Sequence, residues 1–78
     1  MITILYFAAV RELVGLDEEK VEFTGTITEL ATFLEGRHER LRGRLGAVRF
    51  AKNEEFAASE ERIGPGDVIA LVPPVAGG

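Results

Sequence analysis

The sequence predicts an α+β fold: a mixed sheet of about five strands with one main helix across a face. Three observations predict it. Two apolar runs near the ends, "MITILYF" at 1–7 and "VIALV" at 68–72, have the length and composition of strands. Two further segments, "EKVEF" at 19–23 and "AVRFAKN" at 47–53, alternate polar and apolar residues as half-buried strands do. One segment, "TGTITELATFLEG" at 24–36, combines helical periodicity with a start signal and a stop signal.

The elements follow in order. "MITILYF" is rich in β-branched and aromatic residues and reads as a buried strand. In "AAVRELVG", Val10, Leu13 and Val14 fall at i, i+3 and i+4, and Gly15 closes a short helix. Val21 and Phe23 share one side of the next strand, and the short connection predicts that the first two strands pair antiparallel. Thr26 caps the main helix, with Glu29 reaching back to complete a capping box. Ile27, Leu30, Ala31 and Leu34 give that helix one apolar face, and Gly36 is its expected stop. "RHERLRGRLG" is polar, anchored by Leu41 and Leu45, and reads as a helical turn or loop. Val48 and Phe50 then oppose Arg49 in a strand, "NEE" turns, and "EFAA" returns briefly. In "IGPGD", Pro65 presets one turn position and Gly66 supplies the positive φ of the next. The uninterrupted "VIALV" is expected to be covered on both faces or central in the sheet. Pro73 removes a backbone donor and ends the pairing. The chain therefore divides into a domain at 1–72 and a flexible tail at 73–78.

Composition narrows the function classes. Seventy-eight residues, 46% of them hydrophobic, suit one domain with a modest core. No cysteine is present, which excludes disulfides, thiolate metal sites and a thiol nucleophile. That absence, with no signal-peptide pattern at the start, leads to an expected cytoplasmic location. No apolar stretch approaches the roughly 20 residues of a membrane helix, so no membrane partner is expected. The net charge of −4 opposes general affinity for nucleic acid and suits a basic protein partner.

The side chains offer no reactive constellation. His38 is the single histidine, set among charges in "RHER", and reads as solvated rather than as a metal ligand or base. Arg37, Arg40, Arg42 and Arg44 are interleaved with glutamates and unaccompanied by aromatics, which favours a solvated face over an RNA site. The acidic pairs and triplets at 17–19, 54–55 and 60–61 lie in turn-like stretches and read as solvated charge. Ser59 has no matched base, and "GPG" at 64–66 is no phosphate loop.

The tail "PPVAGG" at 73–78 remains. A loose chain end is its bland reading. Its sharper reading is a delivery arm. Pro73 and Pro74 stiffen the base, while Gly77 and Gly78 are bare enough to thread a narrow channel. Six extended residues reach at most about 20–22 Å. A terminal carboxylate is ionised near neutral pH and is a poor electrophile until activated, for example by forming an acyl-adenylate with ATP.

Four segments together resemble the MoaD small subunits of molybdopterin synthase, within the MoaD/ThiS group of ubiquitin-like sulfur carriers. They are "LYFAAVRELVG" at 5–15, the capped helix at 27–35, "AKNEEF" at 51–56 and "GDVIALVPPVAGG" at 66–78. The resemblance implies a β-grasp fold and a carrier that binds no cofactor itself. It implies that Gly78 is adenylated with ATP by a MoeB-type enzyme and converted to a thiocarboxylate by a sulfur donor protein. A MoaE-type large subunit then receives the tail, from Pro73 and Pro74 through Val75, Ala76 and Gly77, and sulfur passes to cyclic pyranopterin monophosphate. Two cycles build one dithiolene, and in the family small and large subunits form a heterotetramer. Many relatives carry aromatics just before the double proline; here Leu71 and Val72 occupy those positions as the implied partner anchor. Related carriers serving thiamine or tRNA thiolation, a ubiquitin-like protein modifier and an interaction module with an idle tail are the competing readings.

Overall fold

The computed structural model describes residues 1–74. Its strands are β1 (Ile2–Tyr6), β2 (Glu18–Val21), β3 (Gly25–Thr26), β4 (Arg49–Lys52), β5 (Glu55–Phe56), β6 (Arg62–Ile63) and β7 (Val68–Val72). Its helices are α1 (Ala8–Val14) and α2 (Ile27–Arg37), followed by a 3-10 turn at Glu39–Leu41. Five strands form one sheet in the order β2-β1-β7-β4-β5. β1 and β7 run parallel at its centre, and the other neighbours pair antiparallel. This is the mixed sheet that the sequence predicts, in the β-grasp arrangement that the family resemblance implies.

Strand parity sorts the residues of the sheet. Ile2, Ile4 and Tyr6 of β1, Val21 of β2, Phe50 of β4 and Ile69 and Leu71 of β7 are buried together with Ile27, Leu30 and Leu34 of α2. Leu41 and Leu45 join the same cluster, as their anchoring role requires. Each large aliphatic side chain so buried contributes about 1.5–3 kcal/mol, which is how a chain this short holds a fold. The alternate residues of β7, Val68, Ala70 and Val72, point to the other face. "VIALV" is therefore central, between β1 and β4, but carries a helix over one face only.

Three boundaries differ from expectation. α2 does not stop at Gly36 but continues to Arg37, and the His38 amide donates to the Leu34 carbonyl at 2.8 Å. An interior glycine costs about 0.5–1 kcal/mol. Charged hydrogen bonds are worth about 1.5–3 kcal/mol each, and Arg37 and His38 both bond to Glu19, so the last turn holds. β2 ends at Val21, and Phe23 leaves the sheet to pack against Phe33 of α2, ring centroids 5.2 Å apart. A second, two-stranded sheet, β3 against β6, was not expected from sequence: its strands are two residues each, too short for any alternation to register.

The predicted turns form. Gly66 has φ +88°, which a side chain would resist, and its amide donates to the Met1 carbonyl at 2.9 Å. Asn53 and Glu54 both take positive φ between β4 and β5, as a type I′ turn demands. The capping box is complete: Glu29 N–H donates to Thr26 Oγ1 at 3.2 Å, and Thr26 N–H to Glu29 Oε1 at 2.8 Å. Gly25 makes it possible. A Cβ there would lie 2.6 Å from Glu29 Oε1 and 3.0 Å from Phe23. Gly25→Ala is accordingly expected to expel the Glu29 carboxylate and cost about 1–2 kcal/mol, the value of a lost cap, read as a lower denaturation midpoint.

Candidate functional site

The C-terminal strand ends where a tail would have to leave. Val72 pairs with Arg49 in the last rung of the β4–β7 ladder, and pairing stops before Pro73, which is half-buried, and Pro74, which is exposed. The sequence-predicted tail residues Val75, Ala76, Gly77 and Gly78 lie outside the described residues.

The two positions expected to anchor a partner separate. Leu71 is fully buried, paired between Tyr6 and Phe50 with its side chain in the core. The parity of β7 places it there, so the core claims Leu71 and no surface contact is open to it. Val72, one residue on, faces the helix-free side and is half-buried.

That helix-free side supplies residues the sequence reading did not single out. Register places Leu5, Val68, Ala70, Val72, Ala51 and Phe56 on it, across four adjacent strands. Phe56 is 57% exposed, and the Arg49 guanidinium stacks 3.7 Å from its ring centre. Such an exposed pair is worth about 0.5–1 kcal/mol and holds the ring flat to solvent. Phe7, just beyond β1, is 46% exposed. Exposure on this face is greatest at Phe56 and Val68, and exposed apolar surface of this kind marks interaction sites. The signal was present in the sequence: uninterrupted apolar runs in a sheet with a single main helix leave one apolar face uncovered.

The start of β7 is pinned by a polar clasp. Asp67 accepts from Gly64 N–H at 2.9 Å and from Asn53 Nδ2 at 3.0 Å. Asn53 in turn accepts from Val68 N–H at 2.9 Å and donates its own amide to the Val68 carbonyl at 2.8 Å. The Gly64 amide, then Asn53, holds the Asp67 carboxyl below its ordinary range. The two turns recognised separately in the sequence are thus one unit that sets the origin of the last strand.

A second polar cluster overturns the reading of His38, Arg37 and Glu19 as solvated charge. Glu19 sits on the inward face of β2, its side chain 10% exposed. It accepts the Tyr6 hydroxyl at 2.6 Å and Arg37 Nε at 3.2 Å, and His38 Nε2 lies 2.6 Å from Oε1. The Tyr6 and His38 rings meet edge to face, 5.9 Å apart. Inward parity on β2 buries the carboxylate and draws the partners to it. Arg40, Arg42 and Arg44 remain exposed as expected.

Burial alone would raise the Glu19 carboxyl, but the bonds from His38, Tyr6 and Arg37 outweigh it and hold the group below its ordinary value of 4.5. Burial, then the bond to Glu19, pushes the Tyr6 phenol far up, so it stays protonated. With Nε2 committed to Glu19, His38 is tied to a structural role. Among the described residues no group of histidines and acids has metal-binding geometry.

These depressed carboxyls carry a pH dependence. Glu19 and Asp67 each stabilise the folded chain fully above their unfolded values, 4.5 and 3.8, and lose that contribution as pH falls through their lower folded values. Urea midpoints are expected to be flat from pH 7 to about 5 and to fall toward pH 3, and Glu19→Gln is expected to flatten the acid limb.

A ubiquitin-like β-grasp domain with an apolar helix-free face and a proline-marked strand exit defines the class. Comparison with known proteins gives the family: residues 4–78 match the ThiS family, and the chain belongs to it. It is 39% identical to the molybdopterin synthase sulfur carrier subunit of Mycobacterium tuberculosis, over 99% of this chain and 96% of that one. It is 35% identical to the corresponding Escherichia coli subunit over the whole of both chains. Among solved structures it resembles SAMP1 of Haloferax volcanii, with 29% identity, TM-score 0.83, and 99% and 98% of the two chains covered. It also resembles a chain in the complex of subunits 1 and 2 of the Helicobacter pylori molybdopterin-converting factor, with 26% identity, TM-score 0.72, and 99% and 97% covered. Among the described residues no helix is long and apolar enough to cross a membrane.

Proposed function

We propose that this chain is the sulfur-carrier small subunit of a molybdopterin synthase and acts in the cytoplasm. The observation that carries the reading is the diglycine ending "PPVAGG", set directly after the central strand of a domain with no reactive side-chain cluster of its own. The full-length similarity to sulfur carrier subunits supports it.

The chemistry follows from the terminal carboxylate. A Gly78 oxygen attacks the α-phosphorus of ATP in a MoeB-type enzyme, pyrophosphate leaves, and an acyl-adenylate forms. Hydrosulfide released from a donor protein bonds to the acyl carbon, the bond from that carbon to the adenylate oxygen breaks, and AMP departs, leaving a thiocarboxylate. In the active site of a MoaE-type large subunit that sulfur passes to cyclic pyranopterin monophosphate, and water restores the carboxylate. Two passes complete the dithiolene. The domain's part is placement: the Asp67–Asn53 clasp fixes where β7 begins, Pro73 and Pro74 direct the tail, and Val72, Phe56 and Phe7 dock the partner. In this reading the domain is residues 1–72 and the arm is 73–78.

The large subunit is the discriminating partner, because carriers for thiamine or tRNA share the tail chemistry. The expected result is that the tagged chain recovers a MoaE-type subunit from its own cells in a heterotetramer, and that Phe56→Asp weakens recovery about tenfold or more, as loss of an interface anchor does. Recovery of only thiamine or tRNA thiolation enzymes would contradict the assignment. A second reading, a protein modifier, is favoured by the likeness to SAMP1, and it uses the same activated carboxylate with a lysine as acceptor.

A further inference from the structure

We propose that Lys20 is the one lysine at which this chain accepts an activated acyl group as an isopeptide. The donor, the activated C-terminal carboxylate of a second copy, rests on the carrier reading above; the choice of lysine does not.

An isopeptide needs an amine that can shed its proton and approach an acyl carbon. The chain holds seven arginines but two lysines, and no cysteine to compete as a thiol. Guanidinium groups stay protonated and do not acylate under these conditions. The acceptors therefore reduce to Lys20 and Lys52.

Their surroundings differ. Lys52 lies on the same strand side as Phe50, with its side chain 25% exposed. Its Nζ is 2.9 Å from Glu61 Oε2 and donates to the Arg62 carbonyl at 3.2 Å. The Glu61 bond above all favours the ammonium form, with Asp67 adding to the negative field. The ammonium proton is held in place, and two of the N–H directions are taken. Lys20 is exposed on β2, an edge strand, and points to the helix-free face opposite Thr3. Its one hydrogen bond among the described residues is to Thr3 Oγ1 at 3.4 Å, near the limit for such a bond, and it makes no ion pair among them.

Placement separates the acceptor from the donor end. Thr3 also pairs with Val68, the first residue of β7, so Lys20 lies at the opposite end of the sheet from Pro73. Acylation at Lys20 therefore leaves the strand end at Pro73 uncovered. In the step, the Lys20 Nζ lone pair bonds to the acyl carbon. The bond from that carbon to the adenylate oxygen breaks and its electrons leave with AMP, while the ammonium proton passes to water.

The first test uses a small acylating reagent and needs no tail chemistry. The full chain is treated with limiting sulfo-N-hydroxysuccinimide acetate and mapped by peptide mass, with the α-amine counted separately. Lys20 is expected to react about threefold or more faster than Lys52, and Glu61→Gln to speed Lys52 about two- to fivefold while leaving Lys20 unchanged, the range an exposed ion pair commands. Equal rates in the unmodified sequence, or a faster Lys52, overturn the proposal. The second test supplies the adenylating enzyme and ATP. An isopeptide between copies is expected at Lys20, lost in Lys20→Arg and retained in Lys52→Arg. An isopeptide at Lys52, or none despite adenylate formation, overturns it. Absence of adenylate counts against the carrier reading instead, and the acetylation rates then decide Lys20.

Discussion

Deleting Gly77 and Gly78 is expected to abolish sulfur transfer while leaving the domain folded and able to dock. The two halves of that result have separate physical grounds. Among the described residues the buried core ends at Leu71 and sheet pairing at Val72, both upstream of the deleted pair. Stability should change by no more than about 0.5 kcal/mol, as for changes remote from packed features. Chemistry is another matter. Two residues fewer withdraw the terminal carbonyl by about 7 Å. A misplacement of about 1 Å can cost about 100-fold in rate, so loss of a full diglycine reach is expected to exceed about 1,000-fold. Sulfur transfer measured with the large subunit, beside a denaturation curve and a binding curve, separates these effects. A truncated chain that still supports cofactor synthesis would remove the carboxylate from the mechanism.

The second large effect is expected at a residue far from any chemistry. Glu19→Ala should cost about 2–4 kcal/mol, because it strips three partners from a nearly buried carboxylate at once. The Tyr6 hydroxyl then loses its partner inside the domain, Arg37 loses the contact that fixes the end of α2, and His38 loses its partner on Nε2. In a domain of this length about 1 kcal/mol moves Tm by roughly 4–8 °C, so a fall of more than about 10 °C is expected. Glu18→Ala, one residue away on the exposed face of the same strand, is the control and should stay within about 0.5 kcal/mol. Equal effects at the two positions would show that the cluster is decorative.

The contrast between Glu18 and Glu19 also marks what the sequence could reveal. The strands and helices that use long periodic runs were legible: β1, β7 and α2 were each found from apolar spacing, and Thr26 and Glu29 announced their own bonds. Leu41 and Leu45 were legible as anchors because they stand alone in a polar stretch. The β3–β6 ladder was not, since two residues hold no period. The Glu19 cluster was not, because its partners lie 13 to 19 residues from Glu19, Tyr6 in an apolar run and Arg37 and His38 among other charges. Only strand parity distinguishes the buried acid from its solvated neighbours, and parity depends on where β2 begins. The same one-residue sensitivity divided Leu71 from Val72. The apolar helix-free face was readable in principle, from runs without polar alternation, yet its member Phe56 looks like an isolated surface residue until the sheet order is known.

The diglycine ending carried the functional reading because a terminal carboxylate is a group that other proteins can charge and discharge. Everything the described domain does in this account is positional: it fixes the root of a strand and presents an apolar face beside the exit of a carboxylate. That claim is tested most directly by the intact mass of the chain isolated from its own cells under conditions that preserve thioacids. The account predicts a fraction in which one terminal oxygen is replaced by sulfur, with fragmentation placing the change on Gly78. A chain that carries only an unmodified, clipped or blocked terminus, in cells actively making the cofactor, would contradict it.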